Sequence, residues 1–163
     1  MPQFAYLSLG SNLGDRAKNL RECIRRLGEM GEVRRVSSFY ETEPMEVREQ
    51  PWFLNCVVEL ETLLSPQELL AGIRNIEAQL GRERLVEKGP RTIDIDILLL
   101  DDVVIDTPDI KIPHPAMQER RFVLAPLAEI APEILHPRLG RSAAALLADL
   151  PAGAGQVRRL RIK

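Results

Sequence analysis

Trp52-Phe53-Leu54-Asn55-Cys56-Val57-Val58-Glu59-Leu60-Glu61-Thr62-Leu63, followed directly by Leu64-Ser65-Pro66-Gln67-Glu68, is a strand that runs into a capped helix. An extended chain alternates its side chains, so Leu54, Cys56, Val58 and Leu60 share one face. Phe53, Asn55, Val57 and Glu59 share the other. The first face reads as core. Ser65 is placed as an N-cap, Pro66 at the first helical position and Glu68 as the returning acid of a capping box. Leu69, Leu70, Ile73, Ile76 and Leu80 then form the inward stripe of a helix that Gly81 ends.

Outward from this unit, the chain repeats the same grammar. Phe4 to Leu9 predicts a first strand, and Gly10-Ser11-Asn12-Leu13-Gly14-Asp15 is a turn-rich loop with several possible caps. That loop matches neither a Walker loop nor a dinucleotide fingerprint, so it reads as turn and cap. Ala17, Leu20, Cys23, Ile24, Leu27 and Met30 predict a helix from about Arg16 to Met30, with Gly31 at its end. Val33 to Tyr40 is a second strand, and Glu41 to Pro51 a loop long enough to be functional. Beyond Gly81 a charged loop leads to a strand ending at Leu100, with Asp101-Asp102 turning toward Val103 to Ile105. The order strand, helix, strand, strand, helix, strand predicts an α+β ferredoxin-like plait: an antiparallel sheet with both helices on one face and the other face free for ligands. After Pro113 the chain is punctuated by proline. Short helical stretches fall near Met117 to Ile130 and Ser142 to Leu150, and a basic tail runs from Arg158 to Lys163. That tail reads as an edge strand or a solvated end.

The bulk composition limits the class. With 163 residues the chain fits one domain, 1–163, able to bury a core without disulfides. It carries 22 basic and 24 acidic residues, a net charge of −2, so it lacks the electrostatic footprint of a nucleic-acid binder. Cys23 and Cys56 form no CxxC and read as buried free thiols. No segment approaches the ~20 apolar residues of a membrane span, and the amino terminus has no leader pattern. A cytoplasmic protein is expected.

Chemistry concentrates in Gly89-Pro90-Arg91-Thr92-Ile93-Asp94-Ile95-Asp96-Ile97-Leu98-Leu99-Leu100. In a strand, Asp94 and Asp96 point the same way with Cα atoms roughly 7 Å apart, while Ile93, Ile95, Ile97 and Leu99 point the other. Two carboxylates in an apolar run need compensation, by an ion-pair network or by hard divalent cations. Arg82, Arg84, Lys88 and Arg91 crowd the preceding loop, a mixture suited to a metal-bound polyphosphate. Phe53 and Asn55, on the non-core face of their strand, can stack on and hydrogen-bond a flat heterocycle, or pack under a loop. Pro113-His114-Pro115 with Arg120, Arg121 and Phe122 could serve phosphate contact and ring stacking, or be solvated loop residues.

Taken together, Leu9 to Gly14, Ser37-Ser38-Phe39-Tyr40-Glu41-Thr42, Gln50-Pro51-Trp52-Phe53-Leu54-Asn55, Gly89 to Leu100, Pro113-His114-Pro115 and Phe122-Val123-Leu124-Ala125-Pro126-Leu127 resemble the 6-hydroxymethyl-7,8-dihydropterin pyrophosphokinases of folate biosynthesis. The resemblance implies a monomer that moves the terminal pyrophosphoryl group of MgATP onto the hydroxymethyl of a reduced pterin, releasing AMP. By matching position, Asp94 and Asp96 hold two magnesium ions, with Asp94 also near the pterin hydroxyl. Arg82 and Arg91 meet the polyphosphate around the transition state. Glu77, Arg84, Arg91, the Ile97 backbone, Lys111, His114 and Arg120 line the ATP site. Thr42, Glu43, Pro44, Met45, Phe53, Asn55, Asp94 and Phe122 surround the pterin, with Phe53 and Phe122 sandwiching the ring. The chain departs from the family in a loop between Arg84 and Gly89 that is a residue shorter than in some members and has no tryptophan. Arg74 stands where a glutamine is known, and Phe53 where tyrosine also occurs. Between Arg120 and Arg121, the alignment to Phe122 favours Arg120 as the one facing the nucleotide. The basic tail gains a further reading, a contact with another folate enzyme. A palm-type nucleotidyltransferase or cyclase would share the plait and the paired aspartates but release pyrophosphate, and a non-catalytic ligand-binding plait used as a regulatory module would bind without metal and consume no ATP.

Overall fold

The computed structural model describes residues 1–43, 51–81, 92–152 and 157–160. Its strands are β1 (Gln3–Ser11), β2 (Glu32–Val36), β3 (Tyr40–Thr42), β4 (Phe53–Thr62), β5 (Asp94–Leu100), β6 (Ile105–Asp106), β7 (Lys111–Ile112) and β8 (Val157–Arg159). The helices are α1 (Arg16–Leu27), α2 (Pro66–Gln79), α3 (Arg121–Ile130) and α4 (Ala143–Ala148), with a 3-10 turn at Met117–Glu119. The main sheet is antiparallel in the order β5-β1-β4-β3-β8, and β2 also pairs with β4. Since β2 and β3 lie along the same neighbour, they share one strand position. Strands β6 and β7 form a separate ribbon.

The β4 alternation holds: Leu54, Cys56, Val58 and Leu60 are buried against α1 and α2, with Ala5, Leu7 and Leu9 of β1 and Ile95 and Ile97 of β5. Ser65 caps α2 in a complete capping box with Glu68, and Pro66 opens the helix. Cys23 and Cys56 are both buried free thiols. Burial pushes the Cys23 thiol up to about 12, and Cys56 higher still, so neither ionises at neutral pH.

Several expectations are corrected. The predicted strand from Val33 to Tyr40 is broken in two. The Ser37 N–H donates to the Val57 carbonyl, and the Val57 N–H donates to Ser37 Oγ, each at 2.9 Å. A side-chain oxygen thus stands in for a ladder carbonyl and interrupts the strand. The expected placement of Leu99 beside Ile95 and Ile97 fails because β5 bulges. Leu7 pairs with Ile97 but Tyr6 with Leu99, so Leu98 is the extra residue and the alternation resets. Leu98 and Leu99 both join the second face. That face is not left free of helices. Tyr6, Val57, Leu98 and Leu99 pack there against Val123, Leu124 and Leu127 of α3 and Ala143 and Leu146 of α4. Helices therefore pack on both faces, α1 and α2 on one and α3 and α4 on part of the other.

Boundaries shift as well. The long helical stretch from Met117 begins as a 3-10 turn and becomes α-helical only at Arg121, and the last helix is Ala143–Ala148 with Ser142 as its cap. Glu41 and Thr42 belong to β3 rather than to the loop. The basic tail is an edge strand over Val157–Arg159, paired with β3. Helix α1 stops at Leu27 with Gly28 as its cap, three residues earlier than Gly31. Gly31 has a different use. A Cβ there would sit 2.2 Å from the Glu61 carbonyl oxygen of β4, so the α1–β2 connection can lie against the sheet only because the side chain is absent. Gly31→Ala is expected to cost about 1 to 3 kcal/mol of stability. Urea unfolding measures this, and a loss below about 0.5 kcal/mol would contradict the close approach.

Candidate active site on the sheet

The antiparallel register builds the site in a row. Asp94 of β5 pairs with Gly10 of β1, Gly10 with Asn55 of β4, and Asn55 with Tyr40 of β3. In the next row Asp96 pairs with Ser8, and Ser8 with Val57. Side chains at paired positions project from the same face, so both aspartates share a surface with Asn55 and, two residues along, Phe53. Asp94 and Asn55 are separated by the β1 strand, about 10 Å between Cα atoms at two strand spacings. Gly10 leaves that interval open. A Cβ on it would meet Asn55 Nδ2 at 2.7 Å and Phe53 Cδ1 at 3.5 Å, so both side chains lean across β1 toward the acids.

The far wall has unspent polar capacity. Thr42 pairs with Phe53 at the last register position of β3 and β4. Thr42 and Asn55 are each 4% exposed, yet Thr42 Oγ1 and Asn55 Oδ1 have no hydrogen-bond partner among the described residues. The Asn55 amide nitrogen reaches the Leu9 carbonyl only at 3.5 Å. Two orphaned oxygens beside a half-buried aromatic ring are costly unless a ligand with donors meets them.

The acidic wall is braced from behind. Glu77 of α2 is buried, and its carboxylate accepts the Ile95 N–H at 2.9 Å. The expectation that Glu77 lines a nucleotide site thus meets a different fact: its Oε2 is directed to the backbone between Asp94 and Asp96. Ile95 turns its N–H outward, so by alternation Ile97 also presents its backbone to the outer edge of β5. His114 lies close enough to Asp94 and Arg120 for both charges to act on it. Burial and Arg120 hold its imidazole below the ordinary value, against the opposing pull of Asp94. His114 Nδ1 accepts the Ala116 N–H, which leaves Nε2 as the protonated nitrogen of the neutral ring. The Arg120 guanidinium stands over the Phe122 ring at 5.6 Å. Arg121 instead donates to the Pro151 carbonyl, so Arg120 is the arginine grouped with His114. Lys111 is paired with Asp106 at 2.7 Å and lines, with His114, Gln118, His136 and Arg138, a cavity of about 370 Å³. Glu43 directly follows β3. Arg82, Arg84, Arg91, Pro44 and Met45 lie outside the described residues.

Sequence reading missed two supports. Glu129 of α3 accepts from the Ser38 N–H, the Ser38 hydroxyl and the Tyr40 hydroxyl, and pairs with Arg159. Burial would raise this carboxyl, but those donors outweigh it and hold it below the usual range. The second support joins Arg16, Glu41, Trp52 and Arg158 at the ends of the 44–50 segment. Ser38, Tyr40 and Glu41 sit in the motif Ser37 to Thr42, the one available signal; Arg16, Glu129 and Arg158 have none.

The fold is thus an antiparallel α+β sheet that carries paired carboxylates and an aromatic-amide pair on the part of one face that α3 and α4 leave uncovered. Comparison with known proteins is specific. A sequence model of 7,8-dihydro-6-hydroxymethylpterin-pyrophosphokinase (HPPK) matches residues 6–132, and the chain belongs to that family. The 2-amino-4-hydroxy-6-hydroxymethyldihydropteridine pyrophosphokinase of Bacillus subtilis is 48% identical over 136 residues, 82% of this chain and 81% of the relative. Folic acid synthesis protein FOL1 of Dictyostelium discoideum is 43% identical over 91% of this chain, which spans only 22% of that relative. Among solved structures, Plasmodium falciparum HPPK-DHPS with pteroate superposes with a TM-score of 0.74 at 19% identity, over 91% of this chain and 42% of that one.

Gly10→Ala is expected to leave the sheet folded while displacing the Asn55 amide. The Asn55 side-chain NH2 resonances read this directly, and unchanged resonances would show that the interval over Gly10 is not filled as described. A pH dependence follows from Glu129. Its folded value is depressed, so its contribution is complete above the ordinary carboxyl value near 4.5 and disappears as pH falls through the depressed one. Glu129→Gln should therefore cost about 1 kcal/mol at pH 7, and its difference from the parent should vanish in acid. Unfolding at the two pH values tests the sign.

Proposed function

We propose that this chain transfers the pyrophosphoryl group of ATP, in the presence of magnesium, to the hydroxymethyl of 6-hydroxymethyl-7,8-dihydropterin, yielding the pterin diphosphate and AMP for folate biosynthesis. One observation carries the reading: Thr42 Oγ1 and Asn55 Oδ1 are buried acceptors that meet no donor among the described residues, beside the Phe53 ring. A pterin edge offers an amino group and a ring N–H, and its flat face suits stacking between Phe53 and Phe122. Glu43, Pro44 and Met45 would complete the same pocket. Family membership supports the assignment.

The acids fit magnesium by their chemistry. No cluster of three or more metal-ligating side chains occurs among the described residues, and magnesium is commonly held by one or two carboxylates with substrate phosphates and water supplying the rest. Asp94 and Asp96 would hold two magnesium ions, which when bound neutralise the polyphosphate charge. The remaining work is alignment. The pterin hydroxyl oxygen attacks the β-phosphorus and gives up its proton to solvent, the bond from that phosphorus to the α–β bridging oxygen breaks, and AMP leaves with those electrons. Asp94 orients the hydroxyl. Arg82 and Arg91 meet the triphosphate, with Glu77, Arg84, the Ile97 backbone, Lys111, His114 and Arg120 around the nucleotide. Neutral His114 offers Nε2–H as a donor.

The same reading takes residues 1–163 as one pyrophosphokinase domain with a ferredoxin-like plait, supported by the β5-β1-β4-β2/β3 order with α1 and α2 on one face. It takes the chain as a cytoplasmic monomer that engages neither nucleic acid nor membrane. Two unpaired thiols suit a reducing compartment, and Arg158 and Arg159 guard the β8 edge against pairing with another copy.

Incubation with MgATP and the hydroxymethyl-dihydropterin should yield AMP without free pyrophosphate. Release of ADP, or of pyrophosphate, would overturn the assignment. Asp94→Ala and Asp96→Ala should each lower AMP formation about a thousandfold, with pterin binding better preserved in the second. Near-normal turnover in both would remove the metal role from this pair.

A further inference from the structure

We propose that Arg158, on the C-terminal strand β8, is a positioning residue for the pterin subsite, because it locks together the two backbone ends that present Thr42 and Phe53. The inference rests on the functional reading above. Thr42 and Phe53 are the last paired residues of β3 and β4, and residues 44–50 connect the two strands. Their neighbours Glu41 and Trp52 are joined in a closed ring of contacts. Glu41 Oε2 accepts from Arg16 at 2.9 Å, and Glu41 Oε1 from Arg158 at 2.7 Å. Arg158 lies over the Trp52 ring at 5.0 Å, while Arg16 donates to the Trp52 carbonyl at 3.0 Å. The two arginines hold the Glu41 carboxyl below its ordinary value, the Arg16 hydrogen bond contributing most. Asn12 adds a hydrogen bond to the Pro51 carbonyl at 3.2 Å.

Each link is individually weak. The Arg158 side chain is 67% exposed, and exposed ion pairs and cation–π contacts add little to global stability. Their common feature is location. All converge on the two points where the chain leaves and re-enters the sheet beside the orphaned Thr42 oxygen and the Phe53 ring. Holding those points before ligand arrives removes ordering cost from binding, so the ring acts on pterin affinity rather than on the fold. The ring sits at the β3–β4 end of the sheet, whereas Asp94 and Asp96 lie on β5 on the far side of β1, so nucleotide binding should respond little.

Trp52 is the only tryptophan, so its emission reports the contact directly. Arg158→Ala should raise the pterin KM about five- to tenfold while kcat and the ATP KM stay within about twofold. The Trp52 emission of the ligand-free protein should shift, with the melting temperature nearly unchanged. Arg158→Lys, which keeps the charge on Glu41 but stacks less well, should recover part of the loss. Trp52→Leu, which leaves the Arg158–Glu41 pair, should move the pterin KM in the same direction and serves if Arg158→Ala does not fold. A pterin KM equal to the parent's in both variants overturns the proposal. So does a joint rise of both KM values with a fall in melting temperature, the mark of a purely structural residue. If the parent protein forms no AMP from the hydroxymethyl-dihydropterin, the functional reading falls and takes this inference with it. An active parent with unaffected variants removes the positioning role alone.

Discussion

The register of β1 between β4 and β5 is the constraint on which the site depends. Its apolar side chains Ala5, Leu7 and Leu9 are fully buried against α1 and α2. A slip by one residue would expose all three and turn Ser8 and Tyr6 into the core, so packing on one face fixes the pairing. The other face inherits that precision. Asp94, Gly10 and Asn55 align only because Leu7, Leu9, Leu54, Cys56 and Ile95 are locked on the opposite side. Hydrophobic burial, which carries no chemical information of its own, thereby sets the spacing of carboxylates and amide.

The second face must change character along its strands. Near Tyr6, Val57, Leu98 and Leu99 it is apolar and covered by α3 and α4; near Asp94, Gly10 and Asn55 it carries charge and open interval. The bulge in β5 makes the change abrupt, placing Leu98 and Leu99 under the helices two and three residues beyond Asp96. Helix α3 connects the halves. Phe122 and Glu129 are seven residues apart, about two turns, and so lie along one side of the helix. Glu129 is bound to Ser38 and Tyr40, and Tyr40 pairs with Asn55. The Phe122 ring, packed against the second apolar cluster, is therefore held from the same side of α3 as the Glu129 contacts two turns away.

Two-residue and helical periodicities made β1, β4, α1, α2 and the acidic strand legible, because their apolar faces are long enough to dominate the pattern. Legibility failed where one residue altered the rule. Ser37 breaks a strand with its hydroxyl, and Leu98 inserts into another; both look like ordinary strand residues in sequence. The covering of the second face was missed because the segment after Pro113 has short helices whose partners are set by tertiary packing rather than by order along the chain. In the site, Asp94, Asp96, Phe53 and Asn55 could be read from alternation. Gly10 was taken only for a turn, although it lies within β1 and its value is the space it leaves for Asn55. Glu129 and Arg158 act across 91 and 117 residues of sequence on Ser38 and Glu41, a separation at which no local pattern exists.

Glu77 shows how an edge strand can carry charge without losing order. Among the described residues strand β5 ends the sheet, so its outward N–H groups face no neighbouring strand there, and an unbraced edge would let Asp94 and Asp96 shift. Burying a carboxylate to satisfy one such group is expensive in isolation. The cost is offset because the Glu77–Ile95 hydrogen bond ties the edge to α2, whose capped amino end and apolar stripe are anchored independently in the core. Further along, the Leu98 carbonyl accepts the His114 N–H at 3.0 Å, so the edge is tied on both sides of Asp96 and the acids keep the spacing that the core face sets.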